Sequence, residues 1–315
     1  MKVLRMKKLL PIKEHTMLDF QREEDLKSMK LQPIVHWAGG KRRILPELLK
    51  RVPQKYGTYF EPFVGGGALL FALKPANAFV SDSNVNLITL YNVIKEQPQL
   101  FANAVKRINA SAVREVQARG SMKSVYHHFR DKYNSFDNNV WTKNRVLVSA
   151  LFVWLNRYCF NGLYRVNKRG EFNTAFGSRD YVDFTEILEN VEDLSSYLSS
   201  CVTMQCCDFE SACSKVQQGD FVYFDPPYVS ITESSDFRQY TKDGFTLSDQ
   251  CRLAECAMQL AARGAYVLLS NSDTPAVRNL YSFLNIETIT APRTISGKAS
   301  SRKPVSELLI SNYTV

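Results

Sequence analysis

Two apolar patterns alternate along this chain. Short continuous apolar runs mark strands covered on both faces: Tyr59–Val64, Ala78–Asp82, Phe221–Phe224, Ala265–Ser270 and Glu307–Ile310. Between them, apolar residues recur at helical spacing over Ala68–Leu73, Val85–Lys95, Gln99–Ile108, Val125–Tyr133, Asn144–Tyr158 and Ser248–Arg263. Gly65-Gly66-Gly67 separates the first strand from its helix, and the second strand ends in the carboxylate of Asp82. Strand, glycine turn, helix, strand and acidic end is the order of a nucleotide-type βαβ unit. The pattern predicts an α/β fold with a mixed, largely parallel sheet and helices on both faces. It divides the chain into an N-terminal arm (1–30), a first part of the sheet domain (31–97), an inserted, mainly helical segment (98–198) and a second part of the sheet domain (199–315). No internal repeat and no low-complexity tract interrupts this order.

Composition narrows the picture. Of 315 residues, 45% are hydrophobic and 23% charged, which are globular proportions and exclude disorder or a collagen-like repeat for most of the chain. No stretch approaches the ~20 apolar residues that a membrane helix needs. Seven cysteines without a signal-peptide pattern point to reduced thiols in a cytoplasmic protein. Forty Lys and Arg against thirty-one Asp and Glu leave +9. From Lys106 to Asp180 fourteen basic residues face five acidic ones, so the excess lies in the insertion and suits a polyanion. The arm, with Lys7 and Lys8, reads either as a solvated tail or as an additional contact to nucleic acid.

Asp225-Pro226-Pro227-Tyr228, directly after a buried strand, is the strongest chemical signal. Two prolines remove two backbone donors and fix φ twice. A carboxylate before that turn and a ring after it make an acceptor-only pocket with a stacking face. Such a pocket suits a flat group bearing an exocyclic amine; the alternative is a plain strand-ending turn. In Phe60-Glu61-Pro62-Phe63-Val64-Gly65-Gly66-Gly67 the glycines permit close approach to a ligand, while the absence of G-x-G-x-x-G and of a following Lys-Ser/Thr disfavours a dinucleotide or ATP site. Asp82 is placed to accept from ribose hydroxyls. Trp37-Ala38-Gly39-Gly40-Lys41 fits a loop around a small anion-bearing ligand, or a structural turn. In Asn156–Arg165, Arg, Asn and aromatic residues interleave, as in a base-reading segment or a solvated basic face. Cys201, Cys206, Cys207 and Cys213 contain no C-x-x-C pair and read as small buried hydrophobes; no metal site is expected. His127-His128 has no matching ligand cluster, and no G-x-S-x-G is present.

Taken in order, these landmarks resemble the Dam family of DNA adenine methyltransferases, of the α arrangement, from about Leu31 to the C-terminus. They run from Trp37–Lys41 through Glu61–Gly67, Asp82, Leu155–Tyr158, Asn161-Gly162-Leu163, Arg169–Asn173 and Asp225–Tyr228 to Ser301-Arg302-Lys303 and Glu307–Leu309. The resemblance implies a Rossmann-like S-adenosylmethionine-dependent methyltransferase sheet with an inserted helical target-recognition domain. It implies methyl transfer to the N6 of an adenine flipped out of double-stranded DNA. It implies catalysis by Asp225, Pro226, Pro227 and Tyr228, without a covalent intermediate or a metal. Cofactor contacts are implied for Trp37, Ala38, Gly39, Lys41, Glu61, Phe63, Gly65, Asp82, Asp208, Phe209 and Asp225.

DNA contacts are implied for His36, Arg157, Phe160, Asn161, Leu163, Arg165, Asn167, Asn173 and Ala175. Among these, Arg165 matches a guanine reader of GATC, Leu163 a thymine-methyl contact and Phe160 an aromatic that inserts into the duplex. Asn167 and Asn173 match phosphate contacts. The chain departs from the family pattern at His36, where a Lys touches the first guanine, at Ala175, where a Pro lines the base-reading surface, and at Ser178, which replaces a basic residue. No obligate protein partner is implied. Two rivals remain: an amino-methyltransferase for cytosine N4 or RNA, whose pocket chemistry is similar, and a silent DNA-binding homologue, against which the intact Asp225, Tyr228, Asp82, Trp37 and Lys41 speak.

Overall fold

The structure, a computed structural model, describes residues 31–37, 39–136, 143–228, 245–291 and 305–314. The arm, Ala38 and Ser301-Arg302-Lys303 lie outside the described residues. In chain order the elements are α1 (Leu45–Leu49), β1 (Tyr59–Glu61), α2 (Ala68–Leu73), β2 (Ala78–Asp82), α3 (Val85–Glu96), α4 (Pro98–Arg119), α5 (Met122–Asn134) and α6 (Arg145–Tyr158). They continue with α7 (Thr185–Cys201), β3 (Val202–Cys206), α8 (Phe209–Cys213), β4 (Phe221–Phe224), α9 (Leu247–Ala262), β5 (Tyr266–Ser272), α10 (Pro275–Leu280), β6 (Asn285–Ala291) and β7 (Val305–Ser311).

The seven strands form one sheet in the order β3-β2-β1-β4-β5-β7-β6. β3, β2, β1, β4 and β5 run parallel, and β7 pairs antiparallel with both β5 and β6. The chain winds from β1 outward to β3, then returns to place β4 on the other side of β1. That reversal opens a crevice at the carboxyl ends of β1 and β4, where open α/β sheets bind ligands.

Strand alternation supplies two cores. Tyr59, Phe221, Tyr223 and Leu268 pack on one face with α3, α4, α6 and α7. Phe60, Val222, Phe224, Val267 and Leu269 pack on the other with α8 and α9. Every residue of β4 is buried, as its unbroken apolar run predicts. The first core passes without a break from the sheet through α3 into the helical segment. There Trp154 stacks on Tyr158 (4.3 Å), meets Phe129 (4.8 Å) and donates to Asn109 Oδ1 (3.3 Å).

Several expected boundaries move. β1 stops at Glu61 rather than Val64, because Pro62 removes the next ladder donor and the chain turns toward the glycines. α4 runs past Ile108 to Arg119: Phe101, Val105, Ile108 and Ala112 continue one buried stripe, and Gly120 (φ 76°) ends the helix. α1, α7, β3, α8, α10 and β6 have no counterpart in the apolar pattern. β3 is an edge strand with exposed Thr203 and Gln205, so no apolar run announces it. α7 runs through Leu198, packs on α3 and α4, and leads directly into β3.

Trp154 is fully buried, so Trp154→Ala should lower unfolding stability by about 3–5 kcal/mol in urea titration. A loss under about 1 kcal/mol would show that this helical layer is loosely packed.

Candidate active site

A cleft of about 1590 Å³ opens over the carboxyl ends of β1, β2 and β4. Its walls come from the loop around Trp37, the glycine turn after β1, the end of β2, the Asp225–Tyr228 corner and the segment 164–171.

The corner is stiff by construction. Gln250, buried on α9, donates from Nε2 to the Pro227 carbonyl (3.4 Å) and accepts from Asn271 Nδ2 (3.2 Å). Asp225 Oδ1 lies 2.7 Å from Lys41 Nζ and accepts from Ser270 Oγ (3.1 Å), which is itself 3.0 Å from the Tyr223 hydroxyl. Burial pushes the Asp225 carboxyl above its ordinary value, while the Lys41 ammonium and the Ser270 hydroxyl pull it back. Lys41 Nζ also donates to the Gly39 carbonyl (2.7 Å) and sits 4.7 Å from the centre of the Tyr228 ring. Tyr228 donates its hydroxyl to Glu307 Oε2 (3.0 Å) on β7. Lys41 therefore meets the carboxylate of the corner inside the protein.

The glycine turn forms the opposite wall. Gly65 has φ 47°, and a Cβ there would lie 2.8 Å from Trp37 Cδ1, so only glycine fits. Its amide donates to Asp82 Oδ2 (3.0 Å), and the Asn84 amide donates to Asp82 Oδ1 (2.9 Å). Burial raises the Asp82 carboxyl, and these two backbone donors oppose the shift. Glu61 is buried and accepts from the Tyr59 hydroxyl (2.9 Å); desolvation holds its carboxyl well above the ordinary value. Trp37 stacks on Tyr164 with ring centres 5.4 Å apart and planes at 16°.

Not every expected residue reaches this cleft. Trp37, Gly39, Lys41, Glu61, Phe63, Gly65, Asp82 and Asp225–Tyr228 line it. Ala38 lies outside the described residues. Asp208 and Phe209 do not line the cleft. Phe209 is buried against Phe63 (5.5 Å) beneath the Arg252 guanidinium (5.0 Å), and Asp208 caps α8 through the Glu210 amide (2.9 Å) and pairs with Arg252 (3.1 Å).

Seven of the nine expected DNA contacts, Phe160 to Ala175, gather on one irregular segment after α6. Phe160 is 53% exposed beside Asn161, which takes a left-handed φ of 54°. Arg165 is exposed and braced by Asn173, donating to its Oδ1 (2.8 Å) and its carbonyl (3.1 Å). Asn167 closes a tight turn: its Oδ1 accepts from the Arg169 and Glu171 amides, and its Nδ2 donates to Glu171 Oε2 (2.6 Å). Leu163 is half-buried and Ala175 exposed; their carbonyls accept from Thr174 Oγ1 (2.9 Å) and the Phe160 amide (2.8 Å).

His36 and Arg157 hold each other. Arg157 donates to the Ile34 carbonyl (2.7 Å) and lies 2.6 Å from His36 Nε2. Burial and the charges of Arg157, Arg179 and Arg42 lower the His36 pKa to about 4, so at neutral pH this ring carries no charge where the family pattern has a Lys. Sequence reasoning missed Ser270 and Gln250, which fix the corner, and Asn86, which fixes the Trp37 wall; it named Glu307, Asn156 and Tyr164 only within longer segments, without these roles. Tyr164 had a signal, since it sits between two expected base contacts and alternation turns it to the other side.

Comparison with known proteins decides the class. The family described as D12 class N6 adenine-specific DNA methyltransferase matches residues 37–295. The chain belongs to this family. It is 37% identical over 286 residues to the type II methyltransferase M1.LlaDCHI of Lactococcus lactis subsp. cremoris, covering 90% of this chain and 96% of that protein. It is 38% identical over 297 residues to M.MjaIII of Methanocaldococcus jannaschii, covering 90% of this chain and all of that protein (100%). Against the DNA adenine methylase of Escherichia coli K12 the identity is 30% over 282 residues, 89% of this chain and 95% of that protein. The protein is thus a site-specific, adenine-specific DNA methyltransferase with an α/β methyltransferase sheet. Among the described residues no helix is long and apolar enough to cross a membrane, and no group of three or more His, Cys, Asp or Glu side chains is placed to hold a metal.

Lys41 lowers the Asp225 pKa, so Lys41→Met should raise it further. If the carboxylate is the active form, methylation falls as pH drops through that pKa, and the acid limb of the rate profile should move to higher pH in the variant. An unmoved limb would separate Lys41 from the state of Asp225.

Proposed function

We propose that this enzyme transfers a methyl group from S-adenosylmethionine to the N6 of an adenine extruded from double-stranded DNA, within GATC. The observation that carries the reading is the 2.7 Å contact between Lys41 and Asp225, which brings the Trp-Ala-Gly-Gly-Lys segment and the Asp-Pro-Pro-Tyr corner together in one cleft.

The residues present fit the cofactor. Glycine at position 65 lets Trp37 pack directly on the turn after β1, whose backbone lines the cleft. Asp82 at the end of β2 is an acceptor for ribose hydroxyls. Trp37 and Phe63 offer apolar surface, and Glu61 and Asp225 supply acceptors on the same walls. These residues would hold S-adenosylmethionine, which when bound supplies a methyl group attached to a positively charged sulfur.

The protein's part in the chemistry is positional and electrostatic. A base stacked in a duplex cannot bring its amine to the corner, so extrusion is required. Asp225 accepts from the exocyclic amine, and the Pro226 carbonyl supplies a second acceptor on a chain without backbone donors. With its hydrogens held, the nitrogen lone pair is less delocalised into the ring and more nucleophilic. Tyr228, fixed through its hydroxyl by Glu307, presents a face for the base to stack on. Lys41 favours the ionised form of Asp225, opposing the pull of burial.

Basic residues of segment 98–198, proposed as the target-recognition domain, supply the sequence-independent part of DNA affinity. Arg165, exposed and braced by Asn173, carries guanine discrimination. His36, neutral and paired with Arg157, supports the adjoining backbone rather than reading a base.

The decisive experiment is base-resolution mapping of methylated positions on mixed-sequence duplex DNA, with the modified nucleoside identified. N6-methyladenine within GATC is expected; N4-methylcytosine, or methylated adenine in unrelated sequences, would overturn the reading. Asp225→Ala should abolish methylation while DNA affinity in gel shift stays near wild type; substantial turnover would show the amine is activated elsewhere. Arg165→Ala should cost about 1–3 kcal/mol of discrimination at one base pair, read from competition with single-substitution duplexes. A uniform loss on every duplex would make Arg165 a phosphate contact instead.

A further inference from the structure

The loop that carries Trp37 and the segment that carries Leu163 and Arg165 lie far apart in sequence, yet two separate ties join them. Asn156 is buried; its Oδ1 accepts from the His36 amide (2.8 Å), and its Nδ2 donates to the His36 carbonyl (2.8 Å) and the Gly162 carbonyl (2.9 Å). Gly162, at φ 64°, packs so closely on His36 that a Cβ would collide with its Cβ. The second tie is Tyr164. Its ring stacks on Trp37, its edge meets Phe152 (5.5 Å), and its hydroxyl accepts from Asn86 Nδ2 (3.0 Å) in the first turn of α3. That turn begins at Asn84, whose amide is held by Asp82.

Tyr164 therefore touches both cofactor-side walls, the Trp37 loop and the start of α3. Its two neighbours in sequence belong to the base-reading surface. Arg165 is braced to Asn173 through both side chain and backbone, so the backbone that carries Tyr164 is the same backbone that positions its two neighbours.

We propose that Tyr164 is a positioning residue that makes cofactor binding and target readout interdependent, keying the base-reading segment to Trp37 and Asn86. When Leu163 and Arg165 seat on the target sequence, Tyr164 holds Trp37 in its cofactor-binding position, and an ordered cofactor in turn fixes the reading segment. The inference rests on the cofactor and DNA sites proposed above.

The test is calorimetric titration of the full-length enzyme with S-adenosylhomocysteine, alone, with a duplex carrying the mapped methylation site, and with one lacking it. In the wild type the affinity ratio between the two duplexes should be about fivefold or more, with the same factor appearing in DNA affinity when the order is reversed. Tyr164→Leu, which keeps apolar volume but removes ring and hydroxyl, should bring the ratio close to 1. Tyr164→Phe keeps the stack and loses the hydroxyl's bonds to Asn86 and Asn84, so its ratio should fall by about twofold. A merely structural role would weaken all three titrations alike and leave the ratio untouched. An unchanged ratio in Tyr164→Leu overturns the proposal, and so does a wild-type ratio near 1. If the Leu variant does not fold, the Phe variant decides on the same criterion. A wild type that binds no S-adenosylhomocysteine under any condition would instead sink the cofactor assignment itself.

Discussion

Asp225 has to stay an acceptor while shielded from water, and the arrangement of the site follows from that requirement. Desolvation favours the protonated acid, which would lose an acceptor and gain a donor. The answer is an ammonium 2.7 Å away on a side chain only 6% exposed. With the Asp225 side chain itself 21% exposed, this largely buried pair adds little net stability, because stripping water from the charges costs about what their attraction returns. Its value is geometric. Lys41 divides its donors between Asp225 and the Gly39 carbonyl and lays its charge against Tyr228, so loop, strand end and ring share one reference point.

The sheet makes that reference point available. Because the chain reverses between β3 and β4, β1 and β4 become neighbours and their carboxyl ends open into the same crevice. Ser270 reaches Asp225 only because β5 lies beside β4 in register, with Phe224 opposite Leu269. Buried Gln250 and Asn271 brace the Pro227 carbonyl from behind. Polar groups of this kind are costly unless fully paired, and here each pairing restrains the same short turn.

Much of this was legible from residue order. The β1 and β4 runs, the glycine turn, Asp82 and the Asp-Pro-Pro-Tyr corner were readable because steric and burial demands there admit few alternatives. Edge strands were not: β3 exposes alternate polar residues and β6 borders only β7, so neither shows a continuous apolar run. The extent of α4 was missed because its buried stripe uses Ala112 where a larger side chain would have been conspicuous. At the site, the candidate cleft residues separated cleanly from Asp208 and Phe209, whose occupation with Arg252 and Phe63 depends on pairings remote in sequence. His36 shows the limit most clearly. The resemblance placed it among the DNA contacts, where the family pattern has a Lys; partial burial and its Arg157 neighbour, 121 positions away, leave it uncharged at neutral pH.

The one reversed strand beside β5 has a reach of its own. β7 sets Glu307 opposite Ser272, and from there its carboxylate takes the Tyr228 hydroxyl. Side chains on a strand change faces with every step, so a slip of β7 by a single residue would carry that carboxylate to the far side of the sheet. The tilt of an aromatic platform is thus governed by how the tail of the polypeptide is zipped onto its neighbour. Errors in annealing this final ribbon would be felt as a loosened ring long before the sheet itself came apart.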